Sequence, residues 1–296
     1  MRFVSYLQDD SHHLGVLEGD DVLDLSSVFP SMQSLIEAGD DGLGVVEAFR
    51  ADAAARDRLP LSAVELLAPL PRPRRCVFCV GLNYEDHFKE GDAAQQGIAS
   101  LPESPAFFVK ATGTVIGPDA AIPYAGHISD KYDYEAELAV IVGRRGRDIS
   151  PGDAFDYVFG YTLANDVSVR DVQRRHGGQW NKGKSFDGTC PMGPVVVTPD
   201  ELDTSAHLQC DVNGERRQDC SLELMIFPVA ELIAALSEGM TLQPGDILLT
   251  GTPAGVGYAR TPPAYLRPGD EVVVRLDNIG ELRNVVGDAL GPLADH

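Results

Sequence analysis

Beyond residue 75 the chain consists largely of short apolar segments separated by turn residues, and this pattern limits its fold more than any other feature. Segments 77–80, 106–109, 135–142, 158–163, 195–198, 207–212, 247–250 and 271–276 have the length of strands and their Val, Ile, Phe and Tyr content. Asn213-Gly214, between two alternating stretches, predicts a tight hairpin because both residues tolerate the left-handed backbone that such a turn needs. Asn278-Ile279-Gly280 predicts a second hairpin, returning through 282–286. Helical patterning is confined mainly to 83–91, 168–176 and 228–238, too sparse for a regular βαβ alternation. The expected class is α+β, rich in β structure.

Upstream, residues 2–25 alternate apolar and polar with breaks at Gly15, Gly19 and Asp20-Asp21, predicting an antiparallel meander. Ser31 is a candidate N-cap for a helix running to Glu37, and 45–58 predicts a second helix from its alanines and charged helix formers. Prolines 69, 71 and 73 at alternate positions exclude helix and predict an extended connector. At 296 residues the chain exceeds the usual size of one core. It is expected to divide into a small N-terminal domain at 1–68, a linker at 69–75 and a main domain at 76–296.

Charge narrows the partners. With 45 Asp and Glu against 24 Lys and Arg, the net charge of −21 repels phosphate backbones and anionic lipid, so nucleic acid and membrane surfaces are not expected partners. No run of 18 apolar residues occurs and Met1–Asp10 lacks an apolar stretch of signal-peptide length, which leads to an expected cytoplasmic location. Cys76 and Cys79 have C-x-x-C spacing, but they lie in an apolar strand and Cys190, Cys210 and Cys220 supply no second pair. Buried free thiols are the expectation.

Several constellations carry chemistry. Residues 131–142 read as a strand whose period of two puts Glu135 and Glu137 on one face. Two such carboxylates repel unless water or a cation offsets them; a solvated sheet face with Lys131 as counter-charge is the alternative. A second strand ends at Asp166, followed by a helix that Ser168 would cap. Three carboxylates from two strands suit a hard divalent ion, and Arg170 and Gln173, at i and i+3, can both face it. If Asn83 caps a helix after 77–80, His87 and Glu90 share one face as a general base and the carboxylate that orients it; an ordinary surface pair is the alternative. Residues 91–104 read as a mobile lid. The loop Lys182-Gly183-Lys184-Ser185 suits an anion, or its lysines are simply solvated. Gly251-Thr252-Pro253-Ala254-Gly255-Val256-Gly257 follows an apolar strand and can offer backbone N–H groups to a carboxylate, or be only a tight turn. It lacks the spacing of a dinucleotide fingerprint or a P-loop.

In order and spacing, five motifs together resemble the fumarylacetoacetate hydrolase family over roughly residues 75–290. They are Gly81-Leu-Asn-Tyr84 with His87 and Glu90, Tyr134-Glu-Ala-Glu-Leu138, Asn165-Asp166 with Arg170 and Gln173, Lys182-Gly-Lys-Ser-Phe186, and Thr250 to Gly257. The resemblance implies a mixed β-sandwich roll with a small N-terminal domain, and usually a homodimer. It implies a divalent metal, Mg²⁺ or Mn²⁺ with Ca²⁺ as an alternative, held by Glu135, Glu137 and Asp166, and a catalytic dyad of His87 and Glu90. Lys184, Arg170, Gln173 and Thr252, with Gly251 beside it, match substrate-contacting positions, and Lys184, Arg170 and Gln173 are candidates to hold an oxyanion. Asp86 does not align with the fourth acidic ligand of fumarylacetoacetase itself, so the chain looks like the acylpyruvase branch. The implied activity is hydrolysis of a carbon–carbon bond in acylpyruvate-like 2,4-dioxo acids from aromatic-ring catabolism. Isomerisation or decarboxylation of hydroxylated diene dioates, and decarboxylation of oxaloacetate, use the same enolate chemistry. A non-catalytic protein on the same fold that binds a metal or a 2-oxo acid is the alternative of another class. Positions that set specificity are expected at 91–104 and 174–180.

Overall fold

Stretches of β-branched and aromatic residues pair into nineteen strands in the computed structural model, which describes residues 1–52, 58–90 and 100–289. The first part holds β1 (Arg2–Gln8), β2 (Ser11–Glu18), β3 (Asp21–Asp24), α1 (Met32–Asp52), β4 (Arg58–Pro60) and β5 (Glu65–Leu66). Next come β6 (Val77–Gly81), α2 (Glu85–Glu90), β7 (Ala106–Lys110), β8 (Val115–Ile116), β9 (Ile122–Tyr124), β10 (Tyr132–Asp133), β11 (Ala136–Val142) and β12 (Val158–Asn165). The last part holds β13 (Ser168–Val169), α3 (Arg170–Arg175), α4 (Asn181–Lys184), β14 (Cys190–Val197), β15 (His207–Val212), β16 (Glu215–Ser221), α5 (Val229–Ser237), β17 (Ile247–Leu249), β18 (Glu271–Leu276) and β19 (Gly280–Ala289). Among the described residues no helix is long and apolar enough to cross a membrane.

A twelve-stranded sheet runs β4-β3-β2-β1-β14-β12-β11-β17-β6-β7, with β5 beside β1 and β8 beside β14. The order β16-β15-β18-β19-β9 makes a five-stranded sheet, and β10-β13 a two-stranded one. Most neighbours are antiparallel, but β17 runs parallel to β6, β19 to β9 and β8 to β14, so the class is the expected β-rich α+β. Asn213 and Gly214 both take positive φ, 52° and 77°, as the hairpin between β15 and β16 requires. Across the irregular segment 69–75, Arg2 and Phe3 of β1 pair with Val197 and Val196 of β14, so the N-terminal meander continues the large sheet.

Strand β11 shows how the sheet is stabilised. Ala136, Leu138, Val140 and Val142 enter one apolar cluster with Leu163, Val195 and Leu248. Ala139 and Ile141 enter the other, with Phe3, Val196 and Ile247. The period of two therefore holds, but both faces of β11 are buried, which removes the solvated-face alternative.

Local expectations fail where a tertiary partner outbids a local one. Of the expected 45–58 helix, residues 45–52 are the end of α1, which bends at Gly39 (φ 57°, ψ −140°), 53–57 lie outside the described residues, and Arg58 lies in β4, paired with Leu23. Ser31 does accept the Ser34 N–H, at 3.2 Å. Ser168 caps nothing: it pairs with Asp133 in the β10–β13 ladder, and its hydroxyl donates to the Asp166 carbonyl. Asn83 is likewise no cap. Its amide donates to the Phe227 and Thr250 carbonyls and accepts the Phe227 N–H, tying the start of α2 to two distant segments. Lys182–Lys184 belong to the short helix α4, not to a loop. The five cysteines are free, with Cys79, Cys190 and Cys210 buried and Cys76 and Cys220 half-buried. Residues 91–99 of the expected lid lie outside the described residues.

Candidate active site

Antiparallel register brings the acidic residues together. Ala136 pairs with Asn165, Glu137 with Ala164, and the Asp166 N–H donates to the Glu135 carbonyl at 2.8 Å, so the start of β11 lies against the end of β12. Carboxylate oxygens of Glu135, Glu137 and Asp166 all lie within 4.8 Å of one another, and all three side chains are buried. Burial of like charges is costly unless they are paired. Lys184 on α4 bridges Glu135 and Asp166, the latter at 2.6 Å. Lys110 at the end of β7 sits 2.7 Å from the other Asp166 oxygen, and Arg170 on α3 sits 2.7 Å from Glu135.

These cations are unevenly shared. Burial raises the Glu135 carboxyl, but the Lys184 and Arg170 charges outweigh it and hold the group well below the usual carboxylate range. Burial, with Asp166 and Glu135 as like-charged neighbours, pushes Glu137 well above that range. Glu137 accepts the Gly251 N–H at 2.6 Å. For Lys184, burial lowers the ammonium, while Asp166 and Glu135 more than compensate and hold it protonated. Hard oxygen donors crowded within one buried site, with one of them driven towards protonation by burial and by the other two, match what a divalent cation relieves. The donor set therefore fits such an ion.

Facing the acids is the His87 imidazole of α2. His87 Nδ1 lies 2.9 Å from Glu90 Oε1, and both Glu90 oxygens accept the Gly255 N–H at 2.9 Å. A carboxylate accepts only, so Nδ1 carries the proton and the Nε2 lone pair is left to act as a base. His87 is 6% exposed and lines, with Glu135 and Glu137, a cavity of about 610 Å³.

The glycine-rich loop after β17 spends its N–H groups on the protein's own carboxylates: Gly251 on Glu137, Gly255 on Glu90, and Gly257 and Tyr258 on Asp133, at 2.7 and 3.0 Å. It thereby locks base, acid and cation supports into one frame. Gly251 has φ 94°, and a Cβ there would meet the Asn83 Cβ at 2.8 Å, so only glycine fits. Gly183 lets α4 approach α3 so closely that a Cβ would meet the Gln173 nitrogen at 2.3 Å, which helps bring Lys184 to the acids.

Of the residues expected from sequence, His87, Glu135, Glu137, Arg170, Gln173, Lys184 and Thr252 all line this cavity. Asp166, Glu90 and Gly251 stand behind the lining as partners of those that do. Thr252 Oγ1 accepts from Gln218 at 2.7 Å. Asp86 is exposed and outside the acidic group. The 174–180 stretch contributes Arg174, Gly178 and Trp180 to the lining. Four contributors escaped the sequence reading: Lys110, Asp133, Gln218 and Tyr258. Asp133 had a signal, because it shares the alternation of Glu135 and Glu137. Lys110 had a weaker one, a lone cation ending an apolar strand. Gln218 and Tyr258 had none.

The family model described as fumarylacetoacetate (FAA) hydrolase C-terminal matches residues 76–287. Oxaloacetate tautomerase YisK of Bacillus subtilis is 46% identical over 229 residues, covering 77% of this chain and 74% of that protein. The mitochondrial oxaloacetate tautomerase Fahd2a of Rattus norvegicus is 42% identical over 296 residues, covering 97% and 91%. Among solved structures, a fumarylacetoacetate hydrolase from Exiguobacterium antarcticum superposes with TM-score 0.83 at 39% identity, covering 98% of this chain and all (100%) of that one. Maleylpyruvate hydrolase from Sphingobium sp. SYK-6, in complex with manganese(II) and pyruvate, gives TM-score 0.80 at 28% identity, with coverage of 98% and 100%. With a matched family model spanning most of its length and relatives this similar, the chain belongs to the fumarylacetoacetate hydrolase family.

Proposed function

We propose that this chain interconverts the enol and keto forms of a small 2-oxo dicarboxylic acid of the oxaloacetate class. The observation that carries the reading is a single cavity in which a Glu90-oriented His87 faces buried carboxylates and the cations paired with them. Its support from relatives is the two oxaloacetate tautomerases named above. Tautomerisation needs one base that takes a proton and returns it, together with charge stabilisation for the enolate between the two steps.

His87 Nε2 takes the proton from the enol hydroxyl. The oxygen–carbon bond becomes the carbonyl, the carbon–carbon double bond supplies its electron pair to C3, and C3 receives a proton from the imidazolium. One O–H bond is lost and one C–H bond gained, with no net change in charge. Glu90 holds the imidazole tautomer and stabilises the imidazolium, while Lys184 and Arg170 stabilise negative charge on the enolate oxygen. A divalent cation, Mg²⁺ or Mn²⁺, held by Glu135, Glu137 and Asp166 supplies Lewis-acid polarisation of the 2-oxo group when bound. Asp133 fixes Arg170 through its Nε at 2.8 Å.

Carbon–carbon hydrolysis of an acylpyruvate is the second reading. The same His87 can deprotonate water, and the likeness to maleylpyruvate hydrolase favours it. Loss of enol absorbance from oxaloacetate, set against pyruvate release from acetylpyruvate and fumarylpyruvate, separates the two. The expected result is fast tautomerisation by the Mn²⁺-supplemented protein, slowed about 10²–10⁴-fold in His87→Gln, with no matching cleavage. Tautomerisation no faster than in buffer, or unchanged by His87→Gln, overturns the proposal, and efficient cleavage puts hydrolysis in its place.

A further inference from the structure

Gln218 on β16 belongs to the smaller sheet and does not line the cavity, yet its amide is bonded to both sides of the active site. The residue is 1% exposed, and its Oε1 accepts the Ala136 N–H, between Glu135 and Glu137 in the chain, at 3.0 Å. An N–H cannot be met by an NH₂ group, so this bond fixes which way the amide lies. Its nitrogen therefore faces the glycine-rich loop, donating to Thr252 Oγ1 at 2.7 Å and to the Pro253 carbonyl at 2.8 Å. The loop lies directly on β16. At Gly255 (φ 109°) a Cβ would meet the Arg217 carbonyl oxygen at 2.0 Å.

The consequence falls on Thr252. A hydroxyl has one hydrogen and two lone pairs, and left to itself it can turn either towards a ligand. Here Gln218 occupies a lone pair, so the hydrogen cannot point towards β16. No described residue accepts that hydrogen, and Thr252, 3% exposed, lines the cavity. The adjoining Gly251 N–H is already spent on Glu137. A donor on Oγ1 also polarises the O–H bond and makes it the stronger donor.

We propose that Gln218 is a positioning residue that commits the Thr252 hydroxyl to donating, and so sets the polarity with which the cavity meets the carboxylate of its ligand. This rests on the reading of the cavity as a 2-oxo acid site and adds how a side chain outside its lining governs affinity there. The Ala136 bond anchors the amide to β11, and the Thr252 bond passes that orientation to the site.

Calorimetric titration of the Mg²⁺-supplemented protein with oxalate, which can neither enolise nor be cleaved as an acylpyruvate, tests this through a double-mutant cycle. Thr252→Val should weaken oxalate about 10- to 100-fold, the worth of one hydrogen bond to a charged group. Gln218→Met, which neither donates nor accepts through hydrogen on nitrogen or oxygen, should weaken it about 3- to 10-fold, and less than about twofold when Thr252 is already Val. Gln218→Glu keeps the acceptor for Ala136, and with it the anchor, but turns an acceptor towards Thr252; it should weaken oxalate about as far as Thr252→Val. With oxaloacetate as substrate the loss from Gln218→Met should appear in KM rather than in kcat. The same loss from Gln218→Met in both backgrounds, an unchanged affinity in Gln218→Glu, or a wild type that does not bind oxalate overturns the proposal. If Gln218→Met does not fold, Gln218→Glu takes its place in the cycle, and equal losses with Thr252 and with Val overturn the proposal in the same way. A preserved cycle in a protein that fails to tautomerise oxaloacetate would remove the proposed reaction and leave the positioning role standing.

Discussion

At the scale of single residues, Glu137 is the member of the acidic group that its surroundings compensate least. Glu135 and Asp166 each touch two cations, whereas burial and those two acids drive Glu137 towards its neutral form. A dication binding the folded site should therefore stabilise the protein. Saturating Mn²⁺ is expected to raise the thermal midpoint, by the equivalent of about 2.7 kcal/mol at a hundredfold excess over its dissociation constant, and a chelator should reverse it. Asp166→Asn and Glu137→Gln should abolish the rise. An equal rise in both variants would place the ion elsewhere.

At the scale of elements, neighbouring strands are held in register by charged links as well as ladders. Asp211 on β15 accepts from Arg216 on β16 and Arg275 on β18, joining three strands of the smaller sheet. Burial raises its carboxyl, but the two guanidinium groups outweigh burial and hold it below the ordinary value. The sign follows from linkage: the unfolded chain binds this proton more readily, so the contribution is complete above the unfolded value of about 4 and is lost as pH falls through the lower folded value. Asp211→Asn should cost about 1 kcal/mol at pH 7 and progressively less in acid, read from urea midpoints at several pH values. A cost independent of pH would show that the ion pairs contribute nothing. Element-scale structure was also where the sequence was most legible. β15 and β18 fall on the predicted segments and the Asn213-Gly214 turn on its predicted hairpin, because period-two patterning and left-handed turn residues are local signals. Ser168 and Asn83 misled because a capping side chain and a cross-linking one have the same local sequence. The deciding partners, Asp133 in one case and Phe227 and Thr250 in the other, lie far away along the chain.

At the scale of the whole molecule, the N-terminal strands share a core with the strands behind the active site. Phe3, Leu14, Val16 and Leu23 pack in one cluster with Ala139, Ile141, Val196 and Ile247, and Phe3 stacks on Phe159 at 5.9 Å. Unfolding is therefore expected as one cooperative transition. Phe3→Ala should shift that whole calorimetric peak by the equivalent of about 3–5 kcal/mol. A separate early peak with the main transition unmoved would mean that 1–68 unfolds as an independent unit. By itself, the sequence determined which residues point the same way within a segment: Glu135 with Glu137 along the expected 131–142 strand, which the fold breaks at 134–135 just before β11, and His87 with Glu90 and Arg170 with Gln173 on helices. Backbone periodicity dictates that much without reference to the rest of the chain. Only the tertiary structure decided that Lys110, Asp133, Gln218 and Tyr258 join them, and that the glycine loop binds the protein's own carboxylates. Those meetings depend on strand pairing and on the burial of charges beside their partners, and both are settled by the assembled sheet.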